Sequence, residues 1–230
     1  MFRSIKNRLR RARMVRDGVG PDLDVAHETL GSAGACWTLC PDGLDAASVV
    51  YSVGVGGDIS FDLALIERFG LTVHAFDPTP RSVAWVEAQE LPEGFVFHPY
   101  GLAAYDGTLS FYAPRKTSSA HFTPVDRYGR EDEGERIDCP VKRLATLTRE
   151  LGHDRIDLLK IDIEGGEYEV LPDILASGIP IGQLLLEFHH CYRTIPYART
   201  REMLRTLGAA GYRVFHVSDR TYEVSLLHRD

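Results

Sequence analysis

No stretch of the chain approaches the roughly 20 consecutive apolar residues that a membrane-spanning helix needs, so the sequence reads without a membrane span. Cysteine is scarce: Cys36, Cys40, Cys139 and Cys191 are the only four in 230 residues. Only the first two are close together. That excludes a disulfide framework and leaves no second pair, or spaced histidines, for a zinc site. Reduced thiols and a cytoplasmic location are therefore expected. Internal repeats and low-complexity tracts are absent, which excludes solenoids and biased disordered segments. Residues 1–16 contain no acid at all, but seven bases: Arg3, Lys6, Arg8, Arg10, Arg11, Arg13 and Arg16. No long apolar run follows them, which argues against a secretory signal; an organelle transit peptide stays open. The other 214 residues hold 19 basic and 33 acidic residues, a balance of −14. Such a body lacks the clustered positive charge that nucleic acid requires. The basic arm either touches phosphate or an anionic membrane, or packs as a solvated helix on the acidic body.

What is present fits a soluble globular chain: 44% hydrophobic and 26% charged residues, in a length that suits one domain with a modest appendage. Short apolar runs alternate with amphipathic ones. Strands are expected at 48–53, 72–76, 95–98, 156–163 and 183–188, from β-branched and aromatic runs bounded by turn residues. Helices are expected between them. Ile59, Leu63, Ile66 and Phe69 recur at helical spacing, with Asp58 or Ser60 as cap and Gly70 as stop. Thr79-Pro80 opens the next helix, followed by others at 144–151, 168–176 and 197–210. Extra extended segments fall at 107–112 and 137–141. Strands at 212–217 and 222–227 have hairpin spacing. The fold class expected is α/β: a Rossmann-like, mostly parallel seven-stranded sheet with an antiparallel terminal hairpin and helices on both faces. Residues 1–47 form a helical cap or arm, in which Phe2, Ile5 and Leu9 recur at near-helical spacing and join Trp37 over the pocket or in an interface. Residues 48–230 form the main domain, with a polar, lid-like loop at 113–136. His121 and Phe122 in it either contact a substrate or belong to a plain solvent loop.

Four segments carry candidate chemistry. Val53-Gly54-Val55-Gly56-Gly57-Asp58 closes a strand and opens a helix, where glycines let the backbone turn tightly and approach a ligand. A nicotinamide fingerprint would need a third glycine at Ile59, and the Lys-Ser/Thr ending of a P-loop is missing. Asp77, in Phe76-Asp77-Pro78, follows Gly56 by 21 residues. An acid there suits the vicinal hydroxyls of a ribose, or caps the helix near Thr79. The run Leu159-Lys160-Ile161-Asp162-Ile163-Glu164-Gly165-Gly166-Glu167 puts Asp162 and Glu164 on one side of an extended chain. Glu167 there favours the start of the following helix. Leu184 to His190 does the same with Glu187 and His189 at the end of the next strand. His189 or His190 is a candidate base, because imidazole titrates near physiological pH. A divalent ion on Asp162, Glu187 and His189 stays open, but no metal is the reading adopted.

Taken together and in order over residues 49–190, VVYSVGVGGDISFD, VHAFDPTPRSVAWV, IDLLKIDIEGGEYEVL and LLLEFHH resemble the FkbM-type family of S-adenosylmethionine-dependent methyltransferases. The pattern is similar to the branch that also contains vertebrate methyltransferase-like proteins. The resemblance implies a class I methyltransferase fold and S-adenosyl-L-methionine as cofactor. It implies Gly54 and Gly56 under the methionine part, Asp77 on the ribose, Tyr100 and Gly101 with Leu102 bordering the adenine, and Asp162 beside the methyl sulfonium. One departure stands out. Many methyltransferases carry an acid two residues before the first glycine, and this chain has Ser52. Asp58 or Asp162 is then expected to supply the anion for the cofactor's amino group. The activity expected is O-methylation of a hydroxyl on a small metabolite or sugar, with His189 as leading base, Glu187 orienting or assisting it, and Asp162 as rival. N- or C-methylation, or a non-catalytic cofactor-binding module, are the alternatives. A small-molecule acceptor is the expected partner, and a homo-oligomer stays open.

Overall fold

A computed structural model describes residues 2–113, 122–127 and 135–229. In chain order the elements are α1 (Phe2–Arg16), β1 (Glu28–Leu30), β2 (Trp37–Leu39), β3 (Val49–Val53), α2 (Ser60–Phe69), β4 (Thr72–Phe76), α3 (Pro80–Glu87), β5 (Phe95–His98), β6 (Gly101–Leu102), β7 (Gly107–Tyr112), β8 (Arg136–Lys142), α4 (Leu144–Leu151), β9 (Ile156–Ile161), α5 (Glu167–Ser177), β10 (Ile181–Glu187), α6 (Tyr197–Ala209), β11 (Tyr212–Val217) and β12 (Glu223–His228). Seven strands form the main sheet in the order β11-β12-β10-β9-β3-β4-β5. The five from β10 to β5 run parallel; β12 is antiparallel to both of its neighbours. The expected sheet, hairpin included, is therefore the one observed. A three-stranded sheet, β6-β8-β7, stands apart from it, and β1 pairs with β2. No helix among the described residues is long and apolar enough to cross a membrane.

The two faces of the sheet are filled by alternation along each strand. Tyr51, Val53, Leu159, Ile161, Leu184 and Leu186 pack with residues of α4, α5 and α6. Val50, Val73, Leu158 and Leu185 pack with α2, α3 and β2. Each such fully buried aliphatic side chain contributes on the order of 1.5–3 kcal/mol. The strands are apolar on both sides because helices cover both faces.

Several local expectations change. The cap of α2 is Ile59, not Asp58 or Ser60. Asp58 instead accepts the Ser60 N–H at 2.8 Å, while Ser60 Oγ accepts the Ser32 N–H. The strand expected to reach Ile163 ends at Ile161. Its last ladder bond runs from the Asp162 N–H to the Val53 carbonyl at 3.0 Å. Beyond it, Glu164 at φ 54° and Gly165 at φ 106° turn the chain into α5. In α1, Ile5 and Leu9 are 49% and 67% exposed, whereas Met14 is 1% exposed. The helix docks by a different face: the Arg13 guanidinium lies 4.2 Å from the Tyr197 ring centre, Arg10 lies over Tyr222, and Arg11 pairs with Asp219. Met14 is buried in the main core, and cation–π contacts from Arg10 and Arg13 flank it. The arm thus packs against the acidic body. Most of the 113–136 loop, His121 included, lies outside the described residues. All four cysteines are free thiols.

Candidate active site

The sheet order reverses between β9 and β3, and a ligand crevice forms outside the strand ends at such a switch point. The register explains why this crevice is chemically dense. Val53 aligns with Phe76 on one side and Ile161 on the other, and Ile161 aligns with Leu186. The next residue on each strand is therefore Gly54, Asp77, Asp162 and Glu187, one row of strand ends. All four line a cavity of about 930 Å³, a size that suits a small-molecule site.

Gly54 sits at φ 89°, and a Cβ there would fall 1.8 Å from the Asp162 carbonyl oxygen. Only glycine lets the β3 and β9 ends approach this closely. A Cβ at Gly56 or Gly57 would meet nothing within 4 Å, so a side chain there would intrude on the cavity they line. Asp77 fixes this loop. Its Oδ2 accepts the N–H groups of Val55 and Gly56 at 3.1 and 3.0 Å. Its Oδ1 accepts the Thr79 N–H and hydroxyl at 2.9 and 2.7 Å. Asp77 thus performs the turn-capping role and also faces the cavity. Asp58 and Gly101 lie on the wall as well, but Tyr100 does not. The Tyr100 ring instead lies under the Lys142 ammonium, 4.0 Å from its centre.

The wall is acidic. Among the described residues, eight carboxyl groups line it (Asp58, Asp62, Asp77, Asp162, Glu164, Glu169, Glu187 and Glu223), against the cations Lys160 and Arg220. Lys160 is 6% exposed and donates to the Gly54 carbonyl at 2.6 Å. Asp62, on α2, is 3% exposed, and its Oδ1 has no hydrogen-bond partner; the same is true of Ser52 Oγ and Asp162 Oδ1. Burial raises the Asp62 carboxyl above its ordinary range, with Lys160 opposing. Burial also raises Asp162, against the pull of His189 and Lys160. Burial, and then the Asp162 charge, push Glu187 up to about 8.

His189 is 4% exposed and stands behind this wall, not on it. Its Nδ1 is 2.8 Å from Glu167 Oε1, and its Nε2 is 3.4 Å from Glu164 and 3.7 Å from Asp162. Burial alone would lower its pKa, but the carboxylates of Glu167, Asp162 and Glu164 outweigh that and push it up to about 10. Set behind the wall, the ring faces three carboxylates and not the cavity. His190 faces elsewhere, with Nδ1 against Thr200 Oγ1 at 3.1 Å. Burial, then Arg10, hold it down at about 4.

Sequence reasoning missed Glu167, Lys160 and Asp62 as site residues. Glu167 is fully buried, and besides His189 its Oε1 accepts the N–H groups of Ile163 and Gly165. Its first-turn position masked this second role. Asp62 carried a readable signal, a charge on the helix face that also bears Phe61 and Leu65. Phe122, Trp37 and residues 34–36 also line the cavity, while none of the described side chains of α1 does.

A parallel sheet with this strand order, a glycine turn after its first main strand, an acid after the second and an antiparallel closing hairpin define the class I methyltransferase architecture. Residues 49–214 match the family model described as the methyltransferase FkbM domain, and the chain belongs to that family. It is 27% identical over 142 residues to human "Probable methyltransferase-like protein 24", an alignment covering 61% of this chain and 32% of that protein. It therefore spans about a third of the length of that relative. It is 29% identical over 175 residues to "31-O-demethyl-FK506 methyltransferase FkbM" of Streptomyces tacrolimicus, covering 64% of this chain and 67% of that one. A crystal structure of methyltransferase FkbM from Methylobacillus flagellatus KT superposes with a TM-score of 0.48 at 13% identity, over 81% of this chain and 44% of that one.

Proposed function

We propose that the protein transfers a methyl group from S-adenosylmethionine to a hydroxyl of a small molecule. The observation that carries this reading is the acidic cavity at the switch point, lined among the described residues by eight carboxyl groups against two cations. The cofactor's positive sulfonium suits such a wall electrostatically. The fit has further support. Gly56 and Gly57 leave open space along the cavity, and Asp62 and Asp162 offer buried, unpartnered oxygens. The Gly54–Gly57 backbone and Asp77 would hold the cofactor's nucleoside and methionine parts. Asp62, beside the strand position where Ser52 replaces the usual acid, joins Asp58 and Asp162 as a counter-ion for its amino group. When bound, the cofactor supplies an electrophilic methyl on cationic sulfur.

The chain's own groups supply the rest. Glu187 faces the cavity with its carboxyl pushed up to about 8, which suits a base near neutral pH. It takes the hydroxyl proton as the new O–C bond forms. Asp162 adjoins it, and His189, held by Glu167, positions Asp162 and Glu164. His189 thus becomes a positioning residue in this reading, and Glu187 replaces it as base. Trp37 and Phe122 help exclude water. The relative named for 31-O-demethyl-FK506 has an oxygen acceptor in its name, which favours oxygen over nitrogen or carbon. The free thiols suit a reducing, cytoplasmic setting.

The test is transfer of a labelled methyl group to panels of hydroxyl and amine acceptors across pH. Glu187 accepts a proton only when ionised, so the rate rises with pH through about 8. Glu187→Gln lowers turnover by about 10²–10⁴-fold. A flat profile from pH 6.5 to 9 with an undiminished variant, or methylation of amines alone, defeats the assignment.

A further inference from the structure

Three potential ligand atoms converge on one point behind the cavity wall. Asp162, Glu164 and His189 each offer one atom, all within 4.8 Å of one another. We propose that these residues bind one divalent transition ion of the Mn²⁺, Fe²⁺, Co²⁺ or Zn²⁺ class.

The distances fit an ion better than hydrogen bonds. His189 Nε2 lies 3.4 Å from Glu164 Oε2 and 3.7 Å from Asp162 Oδ1. A charge-assisted N–H···O bond is about 2.7–2.9 Å long. Two donors each about 2.1 Å from an ion, at angles between a right angle and tetrahedral, stand roughly 3.0–3.4 Å apart. The two edges at His189 are slightly longer than a bound geometry requires, and the third, between the two carboxylates, lies within 4.8 Å, so side-chain rotations close the triangle. Asp162 Oδ1 is also buried with no hydrogen-bond partner, which leaves its lone pairs open to an ion.

The orientation of the imidazole is independent support. Nδ1 is tied at 2.8 Å to Glu167, which is itself 0% exposed and anchored by the Ile163 and Gly165 N–H groups. Metal-bound histidines are held in this way, with one ring nitrogen on a carboxylate and the other on the ion. The Glu164 oxygen that faces His189, Oε2, also accepts from the Arg127 guanidinium at 2.8 Å and from the Tyr192 hydroxyl, so it is held in place and an ion would share it with these donors. With the ion bound, Nε2 carries it in place of a proton. An imidazole in the set favours borderline transition ions over Ca²⁺ and Mg²⁺, which prefer all-oxygen shells. Three protein ligands leave coordination positions open, and Asp162 and Glu164 line the cavity, so an acceptor oxygen has access. Lowering the pKa of an acceptor hydroxyl there rests on the proposed methyl transfer; the binding itself does not.

The experiment is titration of the full, chelator-stripped chain with Mn²⁺, followed by electron paramagnetic resonance, and with Zn²⁺, followed by calorimetry. One site per chain is expected. His189→Ala and Asp162→Asn each weaken it at least 100-fold, Glu167→Gln weakens it about 10–100-fold, and the surface control His27→Ala leaves it unchanged. Circular dichroism confirms that each variant is folded, and Asp162→Asn serves if His189→Ala is not. No stoichiometric binding by folded wild type, or equal binding by the ligand variants, overturns the proposal. S-adenosylhomocysteine is titrated in parallel with chelator present. Its binding without any ion site removes this inference alone, and an ion site without its binding removes the methyltransferase reading alone.

Discussion

Both oxygens of Asp77 are occupied by the chain's own donors, two from the glycine loop and two from Thr79. One carboxylate therefore shapes the turn and offers its outer face to a ligand. Asp77→Ala strands the Val55 and Gly56 N–H groups and costs about 2–4 kcal/mol of stability, read by denaturant unfolding. It also weakens S-adenosylhomocysteine binding at least tenfold; an unchanged affinity would remove Asp77 from the cofactor site. At this scale the sequence was informative wherever chemistry sat at a strand end. Gly54, Asp77, Asp162 and Glu187 were readable because apolar runs stop just before them. His189 was readable as a reactive type but not in its role, because its pKa depends on Glu167, Asp162 and Glu164 arriving from another segment. Lys160 lay hidden inside an apolar strand, where its partner, the Gly54 carbonyl, is 106 residues away.

At the scale of elements, the glycine turn between β3 and α2 carries the site. Gly54 and Gly57 differ in what they protect. Gly54→Ala drives a methyl group into the Asp162 carbonyl at a positive φ, and is expected to cost roughly 4 kcal/mol or more. Gly57→Ala meets open space, leaving stability within about 0.5–1 kcal/mol while weakening cofactor binding roughly tenfold. Thermal unfolding and calorimetry on the two variants separate fold from site; equal behaviour of both would contradict the division. Strand and helix positions were largely legible, since period-2 and helical patterns are strong in this chain. The turn after β9 was not. Asp162 and Glu164 do converge, but through a left-handed residue at Glu164 and a buried anchor at Glu167, not through the alternation of a longer strand.

At the scale of the whole molecule, the uneven charge has two structural outcomes. The acidic surplus gathers around the cavity, and the basic arm folds back on the body through Arg10, Arg11 and Arg13. Met14 enters the main core, yet none of the described residues of α1 reaches the cavity wall. Deleting residues 1–16 should therefore lower stability by about 2–5 kcal/mol, the range for losing a buried methionine. Cofactor affinity should stay within about threefold; a large loss would place the arm in the pocket. The mostly parallel sheet and its closing hairpin were inferable from alternation and hairpin spacing, whereas the docked face of the arm was not, because its aromatic partners lie more than 180 residues away in sequence. The central claim is that the cavity between Gly54, Asp77 and Asp162 binds the methyl donor. Calorimetric titration of the intact chain with S-adenosylhomocysteine tests it most directly. One molecule bound per chain, with affinity weakened by Asp77→Ala, is the expected result; no heat of binding at millimolar ligand to the folded protein would contradict it.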